Sequence, residues 1–214
     1  MRVISEIIIA INMKKVLTYI VFPIIIIVLA WLIIKSIQQP VKFNKEKAIR
    51  EAAAIVKLKD IRTLQVAYKN VNGKFAPSID TLIDFYNNGK MTVIRSIGSM
   101  DDSVAVAMNL VKREAIEIPV RDTLLKNRPD FKAEDLKFIP FTDGDTIRLH
   151  STIKEVSGVD VPLFEAQVPY ASLLNGMDHQ LLVNLVYERI DTDRYPGLQV
   201  GCIENPNNNA GNWE

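Results

Sequence analysis

Apolar residues follow three different spacings along this chain. VLTYIVFPIIIIVLAWLII, Val16 to Ile34, runs for 19 residues without a charge, between Lys14-Lys15 and Lys35. At about 1.5 Å per residue a helix of that length spans close to 30 Å, the hydrocarbon thickness of a bilayer. In FNKEKAIREAAAIVKLKDIRTLQVAYKNVNGK the apolar residues instead recur every third or fourth position, at Ala48, Ala52, Ile55, Leu58, Ile61, Leu64, Tyr68 and Val71. That is an amphipathic helix, and Asn72-Gly73 is its stop signal. After Leu136 the spacing shortens toward the alternation of strands.

Smaller elements follow from local chemistry. Gln38-Gln39-Pro40 predicts a short break or a first-turn proline, and Pro23 a kink. Ser78 caps a helix over SIDTLIDFYNN, closed by Asn87-Asn88-Gly89. MTVIRSI reads as a strand, residues 104–115 lean helical behind an Asp101-Asp102 cap, and Ile116 to Val120 is a strand. Asp122 to Lys126 and Ala133 to Leu136 are short helical turns. KFIPFT and DTIRLHSTIKEV flank a turn at Asp143-Gly144-Asp145, and VPLFEAQVP follows a turn at Ser157-Gly158. HQLLVNLVYERI fits helix or strand, and LQVGCI is a last strand. The fold class is α+β: a transmembrane helix continuing into a long amphipathic helix packed on an antiparallel sheet. The division is an N-terminal segment 1–15, an anchor 16–34, the amphipathic helix 35–73 and an extramembrane domain 74–214.

Composition adds little. Formal net charge is +1, which gives no push toward nucleic acid. A single cysteine, Cys202, excludes an internal disulfide and a cysteine-cluster zinc site. Tyr19 and Trp31 lie toward the two ends of the apolar run, where aromatic belts form. A buried core helix and a cleaved signal peptide are the alternatives to an anchor. Against the latter, Ile33-Ile34-Lys35-Ser36-Ile37 offers no small-residue cleavage site. Met13-Lys14-Lys15 is a natural start for a signal-anchor, with residues 1–12 either an upstream start or a helix extension. Basic residues on both sides of the span give opposed orientation cues. The cluster that follows it either meets lipid headgroups or is simply solvated.

No phosphate-binding loop, GxSxG elbow or HExxH motif is present. Asp143 and Asp145, and Asp191 and Asp193, read as turn residues, His150 and His179 as structural or surface residues, and Cys202 as a small apolar one. Only a pocket uniting Asp143, His150 and Asp191 would favour an enzyme.

KLKDIRTLQVAYKNVNGKFAPSIDTLIDF resembles the first extramembrane helix and following loop of type IV pilins and type II secretion pseudopilins, at Ile61, Leu64, Ala67, Tyr68, Asn72, Gly73, Phe75, Pro77 and Leu82. NNNAGNWE resembles the ending of the calcium-binding loop in major pseudopilins, with Gly211-Asn212-Trp213 aligned. The processing site of that family is missing, since residues 1–40 contain no glycine. The resemblance implies a pilin-like fold, a subunit or scaffold of a cell-envelope assembly, and a domain on the periplasmic side of the inner membrane. It implies calcium near Glu204, Asn205 and Asn208. The alternative is no cofactor, the loop held by its own hydrogen bonds. Gly73, Gly211 and Trp213 are then structural, with Trp213 pinning the last loop. The partners are a lipid bilayer and either a protein or a second copy of the chain. Leu58, Ile61, Leu64 and Tyr68 are the interaction candidates, unless that stripe packs on the chain's own sheet. A monomeric tethered binding module is the alternative function.

Overall fold

The computed structural model describes residues 17–97, 112–125, 128 and 131–214. The predicted helix around 104–111 and its Asp101-Asp102 cap lie outside them. The fold is α+β, with a long apolar helix near the N-terminus and antiparallel sheets. The chain divides into two compact units, Met1–Lys47 and Ala48–Glu214.

Helix α1, Phe22–Asn72, follows one π-helical turn, Leu17–Val21. Pro23 stands just after this π-helical turn, at the second residue of the α-helical stretch. At Pro40 no break occurs, because the helix runs through it. Proline frees the carbonyl four residues back, at Ser36, and the side chains around that position are exposed, so water can reach it. In the first unit, the side chains from Phe22 to Val41 are all exposed, among them Ile26, Ile27, Trp31 and Ile37. The helix is long and apolar enough to cross a membrane, and its most apolar window has mean hydropathy 2.7 with no residue buried. Contiguous apolar surface of that extent is unstable in water and matches hydrocarbon.

In the second unit α1 becomes a core element. Ala54, Leu58, Ile61, Leu64 and Ala67 are buried. Ala48 and Ala52, assigned by spacing to the same stripe, are exposed. The reason is helical geometry: at about 100° per residue, Ala52 lies roughly 120° around the helix from Leu58. Gly73 ends α1 in the left-handed region, φ 72°, its N–H bonded to Lys69 O at 2.8 Å.

Ser78 then caps α2, Ile79–Asn88, accepting from the Thr81 N–H, and Leu82 and Phe85 turn inward. Strands β1, Lys90–Ile97, and β2, Lys112–Pro119, form a separate two-stranded antiparallel ribbon. The expected single sheet is thus two sheets, and Lys112 to Ala115, read as helix-leaning, is strand. One turn of helix, α3 (Val120–Thr123), and a 3₁₀ turn, Ala133–Lys137, follow. The loop at Asp143-Gly144-Asp145 closes through one bridge, Phe138 to Thr146, rather than two full strands.

The second sheet has the order β3-β4-β5. Strands β3, Arg148–Val156, and β4, Val159–Pro169, turn at Ser157 and Gly158, both with positive φ, the geometry that suits strand twist. Strand β4 continues into one helical turn, α4 (Tyr170–Leu173), then α5, His179–Asp191, and β5, Gly197–Gly201. The ambiguous HQLLVNLVYERI is helical because Asp178 caps it, accepting from the Leu181 N–H at 3.0 Å. Phe164, Ala166 and Val168 share one face of β4, and all are buried with Leu198 and Val200 of β5. Phe75 packs against Phe164 with ring centroids 4.7 Å apart and planes tilted by 57°.

Leu58 is fully buried. Leu58→Ala is expected to destabilise the second unit by about 2–5 kcal/mol, read as a lower denaturant midpoint for the detergent-solubilised chain.

Candidate functional site

The polar residues of α1 take part in the fold of the second unit. Arg50 donates to the carbonyls of Leu173 (3.1 Å) and Asn175 (3.0 Å). Lys57 Nζ donates to Asp135 O at 2.6 Å and Phe138 O at 2.7 Å, closing the 3₁₀ turn. Asp60, buried, accepts from Arg128. Gln65, fully buried, accepts from the Ala76 N–H at 2.8 Å and donates to Ala76 O at 3.1 Å. The basic residues of this helix are expected from sequence to face lipid headgroups or solvent. For Arg50, Lys57 and Arg62 that is corrected: they donate to loop carbonyls, Arg62 to that of Asn209. The signal for it was positional, since Arg50, Lys57 and Arg62 each stand four residues from a buried residue of the stripe, Ala54, Ile61 and Leu58 respectively.

Tyr170 is the largest fully buried side chain. It donates to Glu51 Oε1 at 2.5 Å, accepts from Arg189 Nη2 at 3.2 Å, and lies under the Arg189 guanidinium. Burial pushes its hydroxyl pKa far up, and the Glu51 carboxylate adds to that. Burial likewise raises Asp60 against the opposing pull of Arg128, and lowers Lys57.

The interaction candidates Leu58, Ile61 and Leu64 are buried inside the chain's own second unit. Tyr68 packs edge-on against Phe85, centroids 5.2 Å apart. Leu58, Ile61 and Leu64 therefore pack intramolecularly, while Tyr68 is half-buried and Ala48, Ala52 and Val71 are exposed. The outward face of α1 carries another apolar set: Ile49, Val56 and Val66 are 51%, 41% and 38% exposed, with Ala52 exposed between the first two.

The C-terminal loop extends the sheet. Gly201 N–H bonds to Ala210 O and Asn212 N–H to Gln199 O, so residues 210–212 lie along the outer edge of β5. Each residue of Gly211-Asn212-Trp213 has its own reason. A Cβ at Gly211 would stand 2.4–2.6 Å from the indole ring of Trp213, so only glycine admits that contact. The Asn212 side chain accepts from the Gln199 N–H and donates to Gly197 O. Trp213 covers Gly211 with its indole N–H buried and unpartnered among the described residues.

The residues implied for calcium do not fit it. Glu204, Asn205 and Asn208 are exposed, with one carboxylate among them. The Glu204 carbonyl accepts from Lys154 Nζ at 2.6 Å. Calcium wants six to eight hard oxygens, several of them charged. Among the described residues no group of three His, Cys, Asp or Glu side chains is disposed to hold a metal ion.

A cavity of about 360 Å³ lies beside this loop, lined in part by Arg189, Arg194, Tyr195, Gln199 and Cys202. The buried Tyr195 hydroxyl has no partner among the described residues, and burial raises its pKa. Glu165, buried on β4, accepts from Gln167 and Gln199. Asp143, His150 and Asp191 line neither this cavity nor the smaller ones at Asn72–Lys90 and Lys74–Ile153.

An unfolded tyrosine ionises near pH 10, the ordinary value from which Tyr170 is raised. The unfolded chain therefore loses that proton first, and stability falls as pH rises above that point. In an alkaline absorbance titration Tyr170 is expected to ionise only as the protein unfolds. Tyr170→Phe should remove that component and cost about 1–3 kcal/mol at neutral pH.

Compared with known protein families, with curated proteins and with solved structures, the chain finds no match.

Proposed function

We propose that this protein is a membrane-anchored structural subunit or scaffold of a cell-envelope assembly, pseudopilin-like in plan and structural rather than catalytic in role. The observation that carries the reading is α1, Phe22–Asn72: one helix supplies both an exposed, uncharged apolar surface and the spine of a folded unit. Of the residues that carry the resemblance to pilins, Ile61, Leu64, Ala67, Phe75 and Leu82 are buried. In this reading the chain is a single-pass protein of the inner membrane, with its C-terminal domain in the periplasm.

Association falls to the outward face of α1. Ile49, Ala52 and Val56 are spaced three and four apart, so they form one stripe, and alanine permits close helix approach. A shared membrane confines copies to two dimensions, which raises their effective concentration. A second reading, a tethered module that binds a different protein, is favoured by α5: none of its residues is buried, and Tyr187 and Ile190 are 61% and 50% exposed.

Two measurements test this. A protease site inserted beside Asp143 should be cut in spheroplasts with an intact inner membrane; protection until lysis would put the domain in the cytoplasm and remove the envelope reading. In a Cys202→Ser background, Ala52→Cys should give a disulfide-linked dimer in membranes, and adding Ile49→Asp and Val56→Asp should abolish it without unfolding the chain. A monomer that instead crosslinks to another protein through Tyr187→Cys would favour the binding module.

A further inference from the structure

The C-terminal loop, residues 202–214, turns backbone and side-chain oxygens toward cations the chain already contains. Asn208 and Asn209 hold positive φ, 54° and 58°, which asparagine tolerates better than most residues. The Asn209 carbonyl accepts from Arg62 Nη1 at 3.3 Å, and the same nitrogen bonds Glu214 Oε1 at 2.7 Å. The other Glu214 oxygen accepts from the Gly211 N–H at 3.3 Å. Glu214 is held below the usual carboxylate range by that guanidinium, so it is charged at neutral pH. On the far side of the loop Lys154 Nζ bonds Glu204 O. Arg62 comes from α1 and Lys154 from β3, so two separate elements grip one loop.

We propose that Arg62 and Lys154 close this loop as internal cations in the place of a divalent ion, so that Trp213 stays seated on Gly211 without metal. A guanidinium suits the position because one of its nitrogens carries two N–H donors, enough for a carbonyl and a carboxylate together. A doubly charged ion at the same oxygens would sit against the Arg62 charge. The asparagines need no carboxylate because they supply turn geometry and carbonyls rather than ligand charge. The loop's closure is thereby tied to α1 and to the buried stripe beside Arg62.

The test uses the full chain in detergent with Trp31→Phe, so that Trp213 is the only tryptophan. Acrylamide quenching of its fluorescence reads how often the ring leaves Gly211. Quenching should be the same in chelator and in millimolar calcium chloride. Arg62→Gln should raise the open fraction about two- to fivefold, and Arg62→Lys should restore it in part. Glu214→Gln cuts the same contact from the exposed end, where loss of the core is not at issue, and should open the loop similarly. Two results would overturn the proposal: chelator raising quenching in the chain that keeps Arg62 and Glu214, or both Arg62→Gln and Glu214→Gln leaving quenching unchanged in folded protein.

Discussion

Loop carbonyls that face a helix must find donors there, or the helix cannot bury its apolar face against them. In the second unit α1 meets this demand at successive levels: Arg50 for the end of α4, Lys57 for the 3₁₀ turn, Arg62 for the C-terminal loop and Gln65 for the turn into α2. Of these contacts only the Gln65–Ala76 pair is buried, and there an unpaired polar group costs about 1–3 kcal/mol. That is similar to the roughly 1.5–3 kcal/mol that full burial of a leucine or isoleucine contributes. The Arg50, Lys57 and Arg62 contacts are part-buried or exposed and set direction more than they add stability. Leu58, Ile61 and Leu64 supply attraction that tolerates many registers, while the polar residues accept only one. A shift of α1 by a turn would leave several carbonyls without partners at once.

The sheet meets the same problem at its edges. The edge of β5 is covered by residues 210–212, which borrow its free backbone groups. Among the described residues strand β3 has no such cover, and it carries Arg148, His150, Lys154 and Glu155, charged or polar residues that discourage pairing with another chain. The contrast gives the asparagine-rich ending a purpose: it is a piece of sheet edge, held by an asparagine that imitates backbone and weighted by a tryptophan. Because Arg62 joins that edge to α1, helix, sheet and ending form one cooperative assembly.

In the proposed association, a partner and the core would compete for the same helix. Each residue placed inward by packing is lost to a partner, so the buried Leu58, Ile61 and Leu64 are the least available. The outward residues Ile49, Ala52, Val56 and Val66 are interrupted by Lys59 and Thr63. In that proposal, such a composition suits a face that is soluble alone and can still meet a neighbour.

Short-range chemistry was legible in the residues themselves. The apolar helix near the N-terminus, the stop at Gly73, the cap at Ser78 and the turn at Ser157-Gly158 each depend on a few adjacent side chains, and each occurs as the pattern predicts. Pro40 was misread because a proline's cost in a helix depends on whether water reaches the freed carbonyl. The terminal Gly-Asn-Trp was visible as a motif, but its partner on the edge of β5, Gln199, stands 13 residues from Asn212 in sequence, and Arg62 stands 147 and 152 residues from Asn209 and Glu214, which flank the motif. Sequence alone determined that an apolar helix, an amphipathic helix and a strand-rich region occur in that order. Tertiary structure decided which side of α1 faces inward, that the strands form two sheets, and that charged helix residues hold loops rather than water. Periodicity records only neighbours along the chain, whereas those choices were made by carbonyls and cavities contributed from far along it.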